Sequence, residues 1–226
     1  MVRAHQRVEP DVVAALGAGG VATVHEAQNR TGLLLPRVRP IFPGAAVAGT
    51  AVTVLCHPGD NLMLHLAVEF CRPGDVLVVA MTSENEDGLL GELLATSLRA
   101  HGVIAVVMDC GVRDVAFLRE MAFPVWSRAV SAQGTSKSMV GSVNVPVVCA
   151  GQPIHPGDAM VADDDGVVCV PGQTAGEVAA RVAERMAGEA AMRKRLATGE
   201  LGADIYGFRK LAERLGIEYT DELPPA

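Results

Sequence analysis

A helix followed directly by a buried strand, within residues 87–114, constrains the fold of this chain more than any other stretch. Leucines at helical spacing predict the buried face of that helix, namely Leu90, Leu94 and Leu98, with Leu93 beside them. We expect the helix to begin at Gly91 and to end near His101, because Gly102 can take the left-handed conformation that closes a helix.

The strand that follows, residues 103–108, is apolar throughout and is predicted to be buried on both faces. Residues 109–114 are polar and predict a turn at the carboxyl end of this strand. Open α/β sheets bind their ligands at that end of a strand. The stretch therefore predicts an α/β fold with a candidate ligand site at this turn.

Glu92 and the pair Arg113–Asp114 are separated by 20 residues, the length of one helix and a returning strand. Such a unit brings the three side chains to one rim, and the unpaired N–H groups of Leu93 and Leu94 face the same rim. An anion site beside an arginine, with two carboxylates nearby, suits a metal-bound keto acid. The alternative is that Arg113 and Asp114 form only a surface ion pair, and the spacing leaves both interpretations open.

Composition and charge narrow the class of protein. Half of the 226 residues are hydrophobic, which supports a substantial core, and the net charge of −7 without a basic block argues against nucleic-acid binding. The apolar runs are too short for a membrane span, and the first residues lack the apolar core of a signal peptide. The five scattered cysteines predict free thiols in a reducing cytoplasm. We expect a cytoplasmic protein without nucleic-acid or membrane partners.

The remaining pattern predicts one domain with a C-terminal arm. Further strands are predicted at 48–56, 76–81, 124–127, 143–149, 159–162 and 166–170, and further helices at 9–18, 21–28, 61–69 and 115–121. From 172 to 196 the pattern becomes a long charged helix with a narrow apolar stripe, formed by Ala175, Val178, Ala179, Val182 and Met186. Glu189 and Arg193 have the spacing of a helical ion pair.

Seven short motifs, spread in order over most of the chain, resemble those of a known family. They are HPGDN at 57–61, GELLATS at 91–97, MDCGVRD at 108–114, FPVWSRAVS at 123–131, GSVNVPVVCAG at 141–151, VADDDGVVCVP at 161–171 and RLATGELGADIY at 195–206. The chain resembles the 4-hydroxy-4-methyl-2-oxoglutarate/4-carboxy-4-hydroxy-2-oxoadipate aldolases. These are class II pyruvate aldolases related to the regulator of ribonuclease activity A.

The resemblance implies a swivelling β/β/α fold of three layers, with a catalytic domain at 1–171 and a helical arm at 172–226 that reaches a neighbouring subunit. It implies a homotrimer, or a homohexamer built as a dimer of trimers, with active sites between subunits. The implied reaction is metal-dependent cleavage of these oxo acids to pyruvate plus oxaloacetate or pyruvate, in protocatechuate- or gallate-type aromatic degradation. Oxaloacetate decarboxylation is the implied side activity.

The family's site residues map onto this sequence by motif. The resemblance implies that Asp114 binds Mg²⁺ or Mn²⁺ directly and that Arg113 contacts the keto acid. It also implies that backbone amides of the Gly-x-Leu-Leu turn, here Gly91, Leu93 and Leu94, hold the substrate carboxylate. The helix and strand within residues 87–114 would therefore carry the metal ligand and the substrate contacts.

Two further acidic roles are implied by the same resemblance. Glu92 stands where family members often have aspartate, and it would contact the metal through water. The tail motif places a glutamate that reaches the metal's waters from the neighbouring subunit on Glu189, with Glu184 as the alternative.

Other functions remain open as alternatives to a metal-dependent aldolase. Related proteins without catalysis bind other proteins and regulate RNA decay, and the acidic surface favours this class, whereas the Arg113–Asp114 pair and Glu189 favour the enzyme. A methyltransferase would need a glycine-rich turn between strand and helix, which the sequence lacks. Lys137, Lys194 and Lys210 all lie in polar segments, which argues against a Schiff-base lysine.

Overall fold

The computed structural model of the chain describes residues 1–3 and 6–220. The chain divides into two compact units, Met1–Ala183 and Glu184–Ala226, and each is described by itself. The final residues of the predicted arm, 221–226, lie outside the described residues. Within the described part, no helix is long and apolar enough to cross a membrane.

Strands and helices alternate through the first unit, as the apolar periodicity predicts. The strands are β1 (Arg39–Pro40), β2 (Val47–Cys56), β3 (Asp75–Met81), β4 (Gly88–Leu90), β5 (Ala105–Val112), β6 (Val125–Val130), β7 (Ser142–Val143), β8 (Val147–Cys149), β9 (Gln152–Ile154), β10 (Ala159–Asp163) and β11 (Gly166–Val170). The helices are α1 (Pro10–Ala27), α2 (Leu62–Ala67), α3 (Glu92–Ala100), α4 (Val115–Glu120), α5 (Ala175–Ala197), α6 (Gly202–Ile205) and α7 (Phe208–Arg214).

One large mixed sheet organises the first unit, in the strand order β1-β6-β5-β3-β2-β10-β11, with β4 paired to β5 and β7 paired to β2. Strands β2, β3, β5 and β6 are parallel to their neighbours within this set, and β1, β10 and β11 pair antiparallel. The central strands β3 and β5 are buried along almost their whole length, which explains their continuous apolar sequences.

Layers on both faces of the sheet form the core. Helices α2, α3 and α4 pack on one face, where Leu64, Leu98 and Leu118 are fully buried. The β8–β9 hairpin packs on the other face, around Trp126 and Ile154. Helix α1 and the start of α5 pack against β10 and β11. These layers confirm the predicted three-layer β/β/α fold, and helices follow it at the C-terminal end.

Strand β5 is longer than the sequence predicts, because it continues past Met108 to Val112. Pairing with β4 on one side and β6 on the other extends the ladder, with a register shift after Met108. Gly111 permits this extension, since a Cβ there would collide with the carbonyl of Glu86. The predicted turn at 109–114 is therefore wrong for its first four residues, and only the last two lie beyond the strand.

The leucines of the predicted helix divide between two elements. Leu94 and Leu98 are buried on α3, as predicted, whereas Leu90 is the last residue of β4. Leu93 is 82% exposed, so the prediction that it lies beside the buried face is wrong. The spacing from Leu90 predicts one helical stripe, but the strand β4 ends at Leu90 before the helix begins.

The cysteines are free thiols, with Cys71 partly buried and Cys56, Cys110, Cys149 and Cys169 buried. Burial raises the pKa of Cys56, Cys71 and Cys149 to about 12. Burial also raises the pKa of Cys110 and Cys169 well above the ordinary value of a thiol. All five side chains are therefore protonated at neutral pH.

The second unit contains the end of α5 together with α6 and α7. The predicted apolar stripe of α5 is buried only as far as Val182, and Met186 is exposed. Large apolar side chains are exposed along the second unit, at Leu201, Tyr206, Phe208, Leu211, Leu215, Ile217 and Tyr219. This unit therefore presents an apolar surface of its own.

Candidate active site

Two junctions between a strand and a helix form the candidate site. Strand β4 ends at Leu90 before α3 begins at Glu92, and β5 ends at Val112 before α4 begins at Val115. Because β4 and β5 are parallel neighbours, the two junctions lie side by side. The N–H of Arg113 donates to the carbonyl of Leu90 at 2.9 Å and joins them.

Asp114 is the residue directly before α4, and its backbone is in the left-handed conformation, at φ 58° and ψ 32°. Its Oδ2 atom accepts a hydrogen bond from the backbone N–H of Glu92 at 3.0 Å. Within the described residues, no hydrogen bond reaches Oδ1, and the side chain is 41% exposed. Glu92 and Asp114 are therefore close together, as predicted, but the contact is made by the backbone of Glu92. The Oδ1 atom of Asp114 is available to a cation.

Arg113 presents a donor that lacks an acceptor. Its Nε atom is buried and finds no hydrogen-bond partner among the described residues. The distance from Nε to Asp114 Oδ2 is 3.9 Å, too long for a hydrogen bond. A buried donor left unpaired costs about 1–3 kcal/mol, which a ligand oxygen would relieve. This geometry argues against the alternative in which the two residues form only a surface ion pair.

Three glycines surround the Arg113 side chain, and we call the space between them the Arg113 slot. A Cβ added at Gly88 would lie 3.1 Å from Arg113 Cβ, and one at Gly134 would lie 3.6 Å from Nη1. A Cβ added at Gly91 would lie 2.9 Å from Nε and would collide with Asp114 Oδ2. The absence of side chains at Gly88 and Gly91 lets the guanidinium and the carboxylate lie side by side, and Gly134 lies within van der Waals distance of the guanidinium.

The first turn of α3 offers backbone donors to this rim. The N–H groups of Leu93 and Leu94 lie in the turn where helix geometry provides no intrahelical acceptor. The N–H of Glu92 is already bonded to Asp114. A helix N-terminus favours a bound carboxylate, so the predicted substrate-binding amides lie next to the Arg113 slot.

The donor set at the rim fits a hard divalent cation. Among the described residues, no cluster of three or more His, Cys, Asp or Glu side chains could hold a metal by itself. Mg²⁺ keeps several waters and is often bound through one or two carboxylates together with an anionic ligand. One available oxygen of Asp114, beside an unpartnered donor of Arg113, suits an ion that arrives with such a ligand.

Comparison with known proteins identifies the family of this chain. A family model for RraA-like proteins, described as Aldolase/RraA, matches residues 21–169. The chain belongs to the RraA-like family. The matched range includes both strand-to-helix junctions and all three glycines of the Arg113 slot.

Among similar proteins, one from Halalkalibacterium halodurans is 32% identical over 138 residues, which cover 61% of this chain and 66% of that protein. One from Burkholderia multivorans is 35% identical over 136 residues, covering 60% of this chain and 82% of that protein. Both are provisionally named 4-hydroxy-4-methyl-2-oxoglutarate aldolase. The crystal structure of RraAS2 from Streptomyces coelicolor, an unusual member of the RNase ES inhibitor RraA family, has 29% identity and a TM-score of 0.75, covering 84% of this chain and 99% of that one.

The glutamates predicted to act from a neighbouring subunit lie outside the range matched to the RraA-like family. Glu189 lies on α5 in the second unit, and its Oε1 atom is 2.9 Å from Nε of Arg185. Its ion-pair partner in the structure is therefore Arg185, where the helical spacing had suggested Arg193. Glu184 is the first residue of the second unit. A role for either glutamate at the metal remains a prediction.

Sequence patterns did not reveal the contribution of the loop 131–139 to this RraA-like site. The N–H of Gly88 donates to the carbonyl of Gln133 at 2.9 Å, which brings the loop to the Arg113 slot. The polar composition of the loop predicts only a flexible connection. Gly134 is the sequence feature that could indicate a role for this loop, but no local pattern indicates that this glycine faces Arg113.

A cavity of about 340 Å³ lies elsewhere in the first unit, with Arg7, His155 and Asp158 in its lining. Arg7 donates to both carboxylate oxygens of Asp75, at 3.1 and 2.9 Å. Asp158 accepts the N–H of Gly172 at 2.9 Å. Because its arginine and its aspartate are already paired, this cavity is a weaker candidate than the rim with an unpartnered donor.

Proposed function

We propose that this protein is a divalent-metal-dependent class II pyruvate aldolase. It cleaves 4-carboxy-4-hydroxy-2-oxoadipate, and also 4-hydroxy-4-methyl-2-oxoglutarate, to pyruvate plus oxaloacetate or pyruvate. The observation that carries the proposal is the unpartnered Nε of Arg113 beside the Asp114 carboxylate, on the rim next to a helix N-terminus. The names of the relatives support an aldolase.

The reaction breaks the C3–C4 bond of a 4-hydroxy-2-oxo acid. The electron pair of that bond moves toward the 2-oxo group, where negative charge develops. Arg113 lies ready to donate to the developing oxyanion, and the N–H groups of Leu93 and Leu94 bind the adjacent carboxylate. These groups are fixed before the substrate arrives, so little reorganisation is needed in the transition state.

Asp114 would hold Mg²⁺ or Mn²⁺ through its available carboxylate oxygen. When bound, the ion supplies Lewis-acid stabilisation of the charge on the 2-oxo oxygen. The bond from the Glu92 N–H to Oδ2 orients the carboxylate toward the rim. Oxaloacetate decarboxylation develops the same charge at the same oxygen, so we propose it as a second activity.

Loss of the C4 hydroxyl proton requires a base. We assign this step to a water molecule polarised by Glu92, which begins α3 at the rim, or by Glu189 of a neighbouring subunit. The proton leaves the hydroxyl oxygen as the C4 carbonyl forms, and its return from the water to C3 converts the enolate left on the other fragment to pyruvate. A lysine imine is not part of this scheme, and Lys137 is exposed on its loop.

Pyruvate release from both oxo acids tests this function. We expect activity with added Mg²⁺ or Mn²⁺, loss of activity after exhaustive chelation with EDTA, and recovery when the ion is returned. Borohydride added during turnover should trap no enzyme–substrate adduct. Full activity after verified removal of metal, or a trapped imine, would show that the mechanism is wrong.

We also propose that the catalytic unit is a homotrimer, or a dimer of trimers, in which the C-terminal arm meets a neighbouring copy. The exposed apolar side chains of the second unit, such as Phe208, Leu211 and Leu215, support this assembly because such side chains gain stability when a partner covers them. Glu189 would then complete the site of the neighbouring subunit.

Mixing two inactive variants tests the shared site. We expect Glu189→Ala and Asp114→Ala subunits to be inactive separately and to regain part of the activity when they are exchanged. In some mixed interfaces an intact Asp114 meets an intact Glu189, and only a site built from two chains can be restored in this way. If exchange is verified by mass and activity does not return, Glu189 does not act across the interface.

A protein-binding regulator is the second candidate function. The structural likeness to RraAS2, a member of the RNase ES inhibitor RraA family, favours it. A regulator of this kind would bind a ribonuclease and would release no pyruvate. Measuring both ribonuclease binding and pyruvate release on one preparation separates the two functions.

A further inference from the structure

The turn HPGDN, residues 57–61, contains a buried carboxylate with no role in the proposed reaction. Asp60 is 2% exposed, and its Oδ1 atom accepts the N–H of Leu62 at 2.9 Å. Its Oδ2 atom accepts hydrogen bonds from the loop 131–139, namely from Ser136 Oγ at 2.7 Å, Ser138 N–H at 2.6 Å, Ser138 Oγ at 3.3 Å and Met139 N–H at 3.1 Å. One side chain therefore fixes the far end of this loop.

The charge state of Asp60 strengthens these contacts. Burial by itself would raise the pKa of the carboxyl group, but hydrogen bonds from Leu62, Ser138, Ser136 and Met139 outweigh it and hold the pKa well below the usual range. The carboxylate is therefore ionised, and hydrogen bonds to an ionised acceptor are roughly twice as strong as neutral ones.

The next residue of the turn reaches a different element. Asn61 is 4% exposed, and its Nδ2 atom donates to the carbonyl of Leu89 in β4 at 2.8 Å. Its backbone N–H donates to the carbonyl of Ser136 at 3.1 Å. Asn61 thus ties β4 and the loop 131–139 to the same turn.

These two elements are the walls of the Arg113 slot. Strand β4 contains Gly88 and leads into Gly91, and the loop contains Gly134. The orientation of the guanidinium depends on these walls, because within the described residues Nε makes no hydrogen bond and its ion pair with Asp114 is 3.9 Å long. Any widening between the walls would therefore change where the guanidinium points.

We propose that Asp60 and Asn61 are positioning residues that hold the two walls of the Arg113 slot and thereby aim the guanidinium at the reacting oxygen. In this role neither residue acts on the substrate directly; each acts through the walls of the slot. The proposal deepens the proposed function and rests on it for its effect on turnover. The holding of the loop itself does not depend on which reaction is catalysed.

The Asp60→Asn variant tests the effect on turnover. The asparagine side chain has only one oxygen, so its NH₂ group would face N–H or hydroxyl groups from which the carboxylate of Asp60 accepts hydrogen bonds. We expect kcat to fall by about 10²-fold, as for a misplacement of about 1 Å, with a much smaller change in KM. In an Arg113→Ala background the same change should cause little further loss, because the slot would then position nothing.

Asp158→Asn is the matched control. Asp158 is also a buried carboxylate that accepts backbone N–H groups, from His155 at 2.8 Å and from Gly172 at 2.9 Å, but it does not contact the loop 131–139 in the described structure. It should lower thermal stability without the selective loss of kcat. Equal losses of kcat in both variants, or an undiminished effect of Asp60→Asn in the Arg113→Ala background, would overturn the proposal.

Trypsin provides a readout that does not require activity. Lys137 is exposed between two serines that bond to Asp60, so cleavage after Lys137 reports how firmly the loop is held. We expect faster cleavage at this bond in Asp60→Asn than in the wild type or Asp158→Asn, with a smaller increase in Ser136→Ala. The serine variant removes the Ser136 Oγ hydrogen bonds to Asp60 and to the carbonyl of Gly59, and it provides the test if Asp60→Asn does not fold.

The two readouts separate failure of the positioning role from failure of the reaction. Wild-type protein that releases no pyruvate would contradict the proposed function, while the cleavage rates would still decide whether Asp60 holds the loop. Unchanged cleavage after Lys137 in both Asp60→Asn and Ser136→Ala would overturn the positioning role even in an active enzyme.

Discussion

The Asp114→Asn variant is expected to lose metal-dependent pyruvate release by about 10³-fold or more, since Lewis-acid stabilisation contributes several kcal/mol and each 1.36 kcal/mol is a factor of ten. Asparagine is the informative replacement because it tolerates the left-handed backbone at φ 58° and can still accept the Glu92 N–H. The change thus removes the negative charge while leaving the junction intact. The measurement is pyruvate release over a titration of Mg²⁺ and Mn²⁺.

Asp165→Asn serves as the control for this variant. Asp165 is an exposed aspartate in the turn between β10 and β11, and its substitution removes the same charge away from the rim. It should retain wild-type activity and metal dependence. Wild-type rates in Asp114→Asn at a low metal concentration would refute the assignment of Asp114 as the metal ligand.

Replacement of Arg113 by alanine is expected to lower kcat by about 10²-fold to 10³-fold, the typical cost of removing one donor to a developing oxyanion. The Nε atom has no competing acceptor among the described residues, so its interaction with the substrate is formed in the complex. We therefore expect kcat and kcat/KM to fall together. Steady-state kinetics at saturating metal would measure this loss.

Arg113→Lys should recover only part of the activity. Lysine keeps the positive charge, but its ammonium group cannot place a planar donor at the position of Nε within the slot between Gly91 and Gly134. Arg119→Ala, an exposed position on α4, is the control for loss of a nearby positive charge. Full activity of the lysine variant would show that charge alone, without the planar geometry, stabilises the transition state.

The parts of the fold that follow from local sequence were predictable. The central strands β3 and β5 are apolar because both of their faces are covered. Such burial appears in the sequence as a continuous run of apolar residues. The proximity of Arg113 and Asp114 to the start of α3 followed from the length of one helix and one returning strand. These inferences need only the periodicity of a single segment.

Pairing between distant segments was not predictable from the same patterns. The extension of β5 to Val112 depends on β4 and β6, and the short strand β4 looks like the start of a helix because Leu90 keeps the spacing. Likewise, nothing in the composition of the loop 131–139 indicates that Asp60 binds it. Strand register and the anchoring of a loop depend on two segments that are distant in the sequence. The pattern of one segment alone therefore does not predict them.

The family resemblance suggested residue roles that sequence periodicity could not supply. The structure gives more information about some of these roles than about others. For Asp114 and Arg113 the first unit provides distances and unpaired atoms. For Glu189 it provides only an intrahelical ion pair with Arg185, because the role concerns a second copy of the chain. The complementation experiment tests whether a second subunit contributes Glu189 to the site, as proposed.

The five protonated thiols make the chain suitable for site-specific labelling. A cysteine with a pKa of about 12 carries roughly a thousandfold less thiolate at neutral pH than an exposed cysteine with a pKa near 8.5. A Lys137→Cys variant would therefore react with a maleimide dye well before the native thiols. Fluorescence transfer between two labelled populations would then report subunit exchange directly, without removing any native cysteine.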